Sequence, residues 1–166
     1  FENNRLKKIE TSVQSGVALR VIKDGRLGFS STTKPGDVQD LVDAAVATAE
    51  FGAPANFGFP SQAAFAEVRN YDPAVPGITV DTLVNKGQDL VDVLRAEHPD
   101  LLAGVTMEKA EHETSILNSS GMSATHRTTL YSIFGVAEVI SGENFLYVYD
   151  GAGSVGPMIE IGRAHV

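Results

Sequence analysis

An α+β fold of antiparallel β-meanders, each packed with an amphipathic helix, follows from three features of the sequence. Two segments carry apolar residues at helical spacing, several runs are rich in β-forming residues, and those runs are joined by tight turns instead of helical crossovers. The composition agrees: 166 residues with 43% apolar content can bury one medium core or two small ones.

The chain divides into a βββα unit over 1–52, a connecting segment over 53–78 and an αββββ unit over 79–160. In the first unit Leu6, Ile9 and Val13, then Val17, Leu19 and Val21, then Leu27 and Phe29 define a three-stranded meander, with turn chemistry at Ser15-Gly16 and Asp24-Gly25. Lys34-Pro35-Gly36-Asp37 supplies a break and an Asp N-cap. Val38, Leu41, Val42, Ala45, Val46 and Ala49 then recur at helical spacing, so a helix is predicted over 38–50, stopping near Gly52. Four prolines (Pro54, Pro60, Pro73, Pro76) mark the connecting segment as surface chain without regular pairing.

The second unit opens with Thr79 as N-cap. Val80, Leu83, Val84, Gly87, Leu90, Val91 and Leu94 form one helical face, which closes near His98-Pro99. Strand-like runs follow at 102–110, 113–117, 122–140 and 145–149, separated by Asn118-Ser119-Ser120-Gly121 and Ser141-Gly142-Glu143-Asn144 turns. Glu10-Thr11-Ser12-Val13 before Ser15-Gly16 is echoed by Glu113-Thr114-Ser115-Ile116 before Ser120-Gly121. An internal duplication would produce this echo, and so would the shared grammar of hairpins.

No run approaches the roughly 18 apolar residues of a spanning helix, and no basic-then-apolar signal opens the chain. A cytoplasmic protein with no membrane partner is the expectation. Zero cysteines exclude a disulfide framework and any thiolate-held metal within this stretch. A formal net charge of −8 argues against a surface that follows nucleic-acid phosphates, so no direct nucleic-acid partner is expected.

Both ends read as internal to a longer gene product. Phe1 is not Met, and the opening residues look like a strand end, a turn and the next strand. Residues 161–166, Ile161-Gly162-Arg163-Ala164-His165-Val166, are what a common short-read sequencing adapter encodes. They are predicted to be an artefact, with no role for Arg163 or His165. A genomic clone that reads through these six residues unchanged would overturn that expectation.

Two motifs suggest chemistry. Gly151-Ala152-Gly153-Ser154-Val155-Gly156 spells G-x-G-x-x-G after a strand-like run, as a dinucleotide fingerprint would. Pro157 follows at once, no acidic residue stands about 20 positions on, and the neighbouring strands are hairpin-linked; a flexible Gly-rich loop is the preferred reading. His112-Glu113 begins like a zinc-peptidase motif, but Ile116 and Leu117 stand where a second histidine would be. A solvated acidic edge is the preferred reading there. His98 caps a helix end, His126 lies in a polar strand, and no nucleophile elbow or acid–base pair is readable.

Residues 3–32, from Asn-Arg-Leu-Lys-Lys-Ile-Glu-Thr-Ser to Lys23-Asp24-Gly25-Arg26-Leu27-Gly28-Phe29-Ser30-Ser31-Thr32, closely resemble the N-terminal domain of the TldD/PmbA family. The resemblance continues through the helix over 37–51, Phe59-Pro60, Ile116-Leu117-Asn118-Ser119-Ser120-Gly121 and Arg127-Thr128-Thr129-Leu130-Tyr131-Ser132. The Asn-Ser-Ser-Gly region and Gly28-Phe29-Ser30-Ser31-Thr32 look more like the PmbA (TldE) branch. The resemblance implies a subunit of a cytoplasmic zinc-dependent metallopeptidase acting in proteolysis of unfolded, extended peptides. In that family a TldD-type chain supplies His-Glu-x-x-x-His and a downstream Cys, and pairs as a dimer with a PmbA-type chain lacking them.

None of those ligands is present, so no catalytic, cofactor-binding or metal residue is assigned here. Zinc is expected only in a full-length TldD-type partner. This stretch is then a non-catalytic part that frames the substrate channel and the dimer contact. The alternatives are an interaction module of the gyrase-modulator kind and, remotely, a nucleotide-binding fragment.

Overall fold

The computed structural model describes residues 1–34, 36, 38–62 and 64–157. The Asp37 N-cap, the end of the 79–160 unit and the 161–166 segment therefore lie outside the described residues. The chain is α+β, with two antiparallel sheets and three helices among the described residues. It forms two compact units, one of Phe1–Ile9, Ala63–Leu117 and Met122–Val166, the other of Glu10–Gln62 and Asn118–Gly121.

The smaller unit is a hairpin with a helix. β1 (Val17–Lys23) and β2 (Arg26–Thr32) pair from Val17↔Thr32 to Lys23↔Arg26. Asp24 at φ 50° and Gly25 at φ 72° both occupy the left-handed region, which a two-residue I′ turn demands. α1 (Val38–Ala49) lays the small buried residues Ala45 and Ala49 against β2 at Gly28. Polar bonds fix the helix on the strand: the Ser30 hydroxyl donates to the Leu41 carbonyl at 2.7 Å, and the Phe29 N–H donates to Thr48 Oγ1 at 2.9 Å.

The predicted first strand does not form. Residues 6–16 have no regular pairing, and Leu6, Ile9 and Val13 are 46%, 56% and 93% exposed. Their spacing of three and four is not the period of two that a half-buried strand needs. The βββα expectation is thus corrected to ββα. The connecting segment also pairs more than expected: the Ala55 N–H donates to the Gly25 carbonyl at 2.7 Å, and isolated bridges join Arg26 with Pro54 and Ser61 with Gly121.

The larger unit is a three-stranded sheet in the order β3-β4-β5, where β3 is Leu102–Leu117, β4 is Ser123–Ser141 and β5 is Asn144–Ser154. The runs predicted at 102–110 and 113–117 are one strand, so four runs become three and the αββββ expectation is corrected. The polar stretch that suggested a break is paired throughout, with Glu111↔Thr129, His112↔Thr128 and Glu113↔Arg127 in register. A ladder tolerates polar side chains where both faces meet water. Gly142 at φ 61° turns β4 into β5.

α3 (Val80–Glu97) follows its predicted bounds, and Thr79 Oγ1 accepts the Thr82 N–H at 3.1 Å as the cap. It buries Val91 against Leu101, Ala103, Val105 and Ala137 on one sheet face. A short helix missed by the sequence, α2 (Ala74–Gly77), follows Pro73 and buries Val75. Pro76 fits because the first turn of a helix needs no N–H from it. Residues 1–4 lie along β3: the Val105 N–H donates to the Phe1 carbonyl at 3.1 Å and the Asn4 N–H to the Ala103 carbonyl at 3.0 Å. The Glu10-Thr11-Ser12-Val13 segment is irregular while Glu113-Thr114-Ser115-Ile116 lies in β3, so the two similar segments take different conformations.

Tyr131 on β4 is fully buried, and its phenol oxygen has no hydrogen-bond partner among the described residues. Burial raises its pKa above the ordinary value of 10.0. A raised folded pKa means stability that is intact below about pH 10 and is lost as pH climbs through the folded value. Tyr131→Phe is therefore expected to leave stability at pH 7 unchanged or up to about 1 kcal/mol higher. It should also flatten the loss of stability in the window above about pH 10. Urea unfolding at neutral pH and in that window checks both.

Candidate functional site

The histidines and acids that a metal would need are held apart. His112 and Glu113 are neighbours in β3, and successive strand residues point to opposite faces, so they cannot act as a pair. Glu113 Oε2 is 3.5 Å from Arg127 Nε, and Arg127 also bonds Glu111 and lies 4.1 Å over the Tyr71 ring. The Glu111 bond, foremost, raises the Arg127 pKa. His126 Nε2 meets Asn70 Nδ2 at 2.7 Å, and His98 Nδ1 accepts the Asp100 N–H at 3.2 Å beyond the end of α3. No group of three or more His, Cys, Asp or Glu among the described residues could hold a metal ion. The described residues do not fit a zinc site.

The G-x-G-x-x-G motif is corrected from loop to strand: Gly151 and Gly153 belong to β5, opposite Phe134 and Ser132. A Cβ on Gly151 would press on the Phe134 ring and the Ile133 carbonyl, and one on Gly156 would meet the Asp72 carboxylate. Close packing thus accounts for these glycines, and a carboxylate beside Gly156 opposes a phosphate. The chain there is fixed by Thr129, which is buried: its hydroxyl accepts the Asp72 N–H at 2.9 Å and donates to the Val155 carbonyl at 2.7 Å.

What the sequence reading missed is the surface of β5. Phe145, Tyr147 and Tyr149 share one face, with ring centroids 6.2 Å and 6.0 Å apart, and Tyr149 meets Phe134 across the pair at 6.1 Å. Phe145 and Tyr149 are 62% and 68% exposed, and Leu146 and Val148 on the other face are exposed as well. An open groove of about 520 Å³ runs past Phe134, Tyr149, Gly151 and Gly153. The alternation Phe-Leu-Tyr-Val-Tyr could have signalled an aromatic face, because residues two apart lie on one side. No helix of the described residues is long and apolar enough to cross a membrane.

Two small α+β units, one a ββα hairpin unit and one a three-stranded sheet with a helix on one face, define the class of chain by fold. Residues 1–49 match the family model described as PmbA/TldA metallopeptidase domain 1. Among solved structures, the chain is similar to TldE from Thermococcus kodakarensis (TM-score 0.78, 19% identity, covering 94% of this chain and 37% of that one). It is also similar to a Thermotoga maritima protein described as a candidate modulator of a DNA gyrase (TM-score 0.82, 14% identity, covering 95% and 36%). A Bacteroides thetaiotaomicron protein with a similar description matches at TM-score 0.70 and 16% identity, covering 84% and 34%. No curated protein sequence matches the chain. Residues 1–49 thus match the first domain of that family, and the chain shares the fold of these structures. It spans little more than a third of the length of those proteins.

Proposed function

We propose that this chain is the N-terminal and middle part of a TldD/PmbA-type metallopeptidase subunit of the PmbA (TldE) branch. In this reading it contributes to proteolysis of unfolded peptides without catalytic residues of its own, framing the substrate channel and the contact with a TldD-type partner in the cytoplasm. The observation that carries the reading is the likeness to TldE over 94% of the chain, together with the domain-1 match. Zinc and the hydrolytic step belong, on this reading, to the partner.

The test is reconstitution. The intact gene product, purified alone, is expected to bind no stoichiometric zinc and cleave no unfolded peptide. Mixed with a TldD-type chain carrying His-Glu-x-x-x-His, it is expected to form a complex that cleaves. Zinc in the isolated protein at one per chain would reverse the branch assignment. The likeness to the two gyrase-modulator structures favours a second reading, a non-catalytic interaction module. A complex that forms but never cleaves would favour that one.

A further inference from the structure

β5 ends at Ser154 although the strand it pairs with runs on. Its last register pair is Tyr131↔Ser154; one step back on β4 and one forward on β5 would set Leu130 against Val155, then Thr129 against Gly156. β4 passes through those positions as far back as Ser123, still paired with β3. Gly156 has the N–H and carbonyl that a ladder pair needs, and Pro157 comes only after it. The chain nevertheless bends at Val155 and Gly156. The place beside Thr129 is already taken, because its N–H donates to the Asn70 carbonyl at 3.0 Å.

Residues 70–78 form a strap held at both ends. At one end Asn70 Nδ2 meets His126 Nε2 at 2.7 Å, and the Tyr71 ring lies 4.1 Å from the Arg127 guanidinium. At the other, Asp72 Oδ1 accepts the Ala74 N–H at 2.8 Å where α2 opens, and the Lys109 ammonium donates to the Pro76 carbonyl at 2.8 Å and to the Ile78 carbonyl. Between them the buried Thr129 hydroxyl bonds both the Asp72 N–H and the Val155 carbonyl, so one side chain ties the strap to the departing chain. The Asp72 carboxylate fills the space beside Gly156. We propose that residues 70–72 are a stop for β5: they occupy the β4 edge that β5 would take next, and so set where the chain leaves the sheet. When the strap lifts, Gly156 replaces Asn70 as the partner of Thr129, and β5 lengthens through Val155 and Gly156. Either occupant satisfies the buried Thr129 backbone, so the exchange leaves no main-chain group of that residue unmet. Asn70 and Tyr71 are held by the exposed residues His126 and Arg127, and contacts at exposed sites are weak singly, so that end lifts first. The inference rests on residues 70–157 alone and not on the peptidase reading.

The experiment follows single amides of this chain by hydrogen exchange and by nuclear Overhauser contacts. In the unaltered chain the Thr129 amide should be protected and close to Asn70, and the Gly156 amide should exchange freely. Tyr71→Ala combined with Asp72→Ala removes the ring beside Arg127 and the carboxylate beside Gly156. Gly156 is then expected to gain about tenfold protection, with an amide-to-amide contact to Thr129, as facing residues of a bonded antiparallel pair show. Tyr71→Ala alone leaves Asp72 and its bonds in place, so it keeps the test open where the double variant fails to fold. It should raise Gly156 protection about threefold. Gly156 exchange unchanged in both variants would overturn the proposal, whether Thr129 kept its protection or lost it to water. A Thr129 to Gly156 contact already present in the unaltered chain would overturn it too, since β5 would then run past the strap.

Discussion

Gly28→Ala is expected to destabilise the hairpin-and-helix unit by about 3 kcal/mol, the upper end of the usual cost of overpacking. A Cβ at Gly28 would collide with the Ala45 carbonyl and also press on the Cβ and N of Ala49. The first obstacle is main chain, so no rotamer change relieves it; α1 must lift from β2, exposing Ala45 and Ala49 and stretching the Ser30 to Leu41 bond. Gly28 has no left-handed φ, so the effect is steric and separates cleanly from a backbone effect. Gly25→Ala is the contrast: it meets nothing within 4 Å but sits at φ 72°, and should cost about 1 kcal/mol. Ala49→Gly should rescue Gly28→Ala only in part, because the Ala45 carbonyl remains. Hydrogen exchange across β1, β2 and α1 reads the loss locally; a Gly28→Ala chain with undiminished protection there would contradict the packing described.

Much of this fold was legible because its helices obey one local rule each. α3 combines a Thr79 cap with a continuous apolar stripe, and α1 has its stripe and a Gly52 stop, so periodicity and punctuation agree. Strand number was less legible. Leu6, Ile9 and Val13 suggest a strand by apolar–polar alternation although their spacing lacks the period of two, and the polar middle of β3 suggests a gap although cross-strand partners hold it. Residues 1–4 pair with residues about a hundred positions away, which no local pattern reports.

The candidate surface was half legible. The run from Phe145 to Tyr149 reads as a strand, but an apolar run is equally what a buried strand shows, and its exposure depends on where α3 lies. α3 packs over Ala103, Val105 and Ala137, leaving the β5 aromatics on the other face and Leu146 and Val148 beyond it. The motifs that looked chemical failed for the same kind of reason. His112-Glu113 and the glycine series depend on a helix that the sequence around them does not build, and in a strand their side chains are dispersed or crowded out.

The second large effect is expected at Asn4. Its side chain closes a fork on the start of β3: Oδ1 accepts the Ala103 N–H at 2.7 Å, and Nδ2 donates to the Leu101 carbonyl at 3.0 Å. Both Leu101 and Ala103 are buried, so without the amide these main-chain groups lose partners that water cannot readily replace. Leaving a buried donor unmet costs about 1–3 kcal/mol. Asn4 also sits at φ 65°, where asparagine is tolerated and alanine costs about 1–2 kcal/mol. Asn4→Ala should therefore destabilise the larger unit by about 3 kcal/mol, and Asn4→Gly, which is free of the φ cost, by about 2 kcal/mol. Urea unfolding with hydrogen exchange at Ala103 and Val105 distinguishes the contributions. Equal losses would assign the whole effect to the side-chain fork, and losses under about 1 kcal/mol in both variants would show that residues 1–4 do not hold the edge of β3.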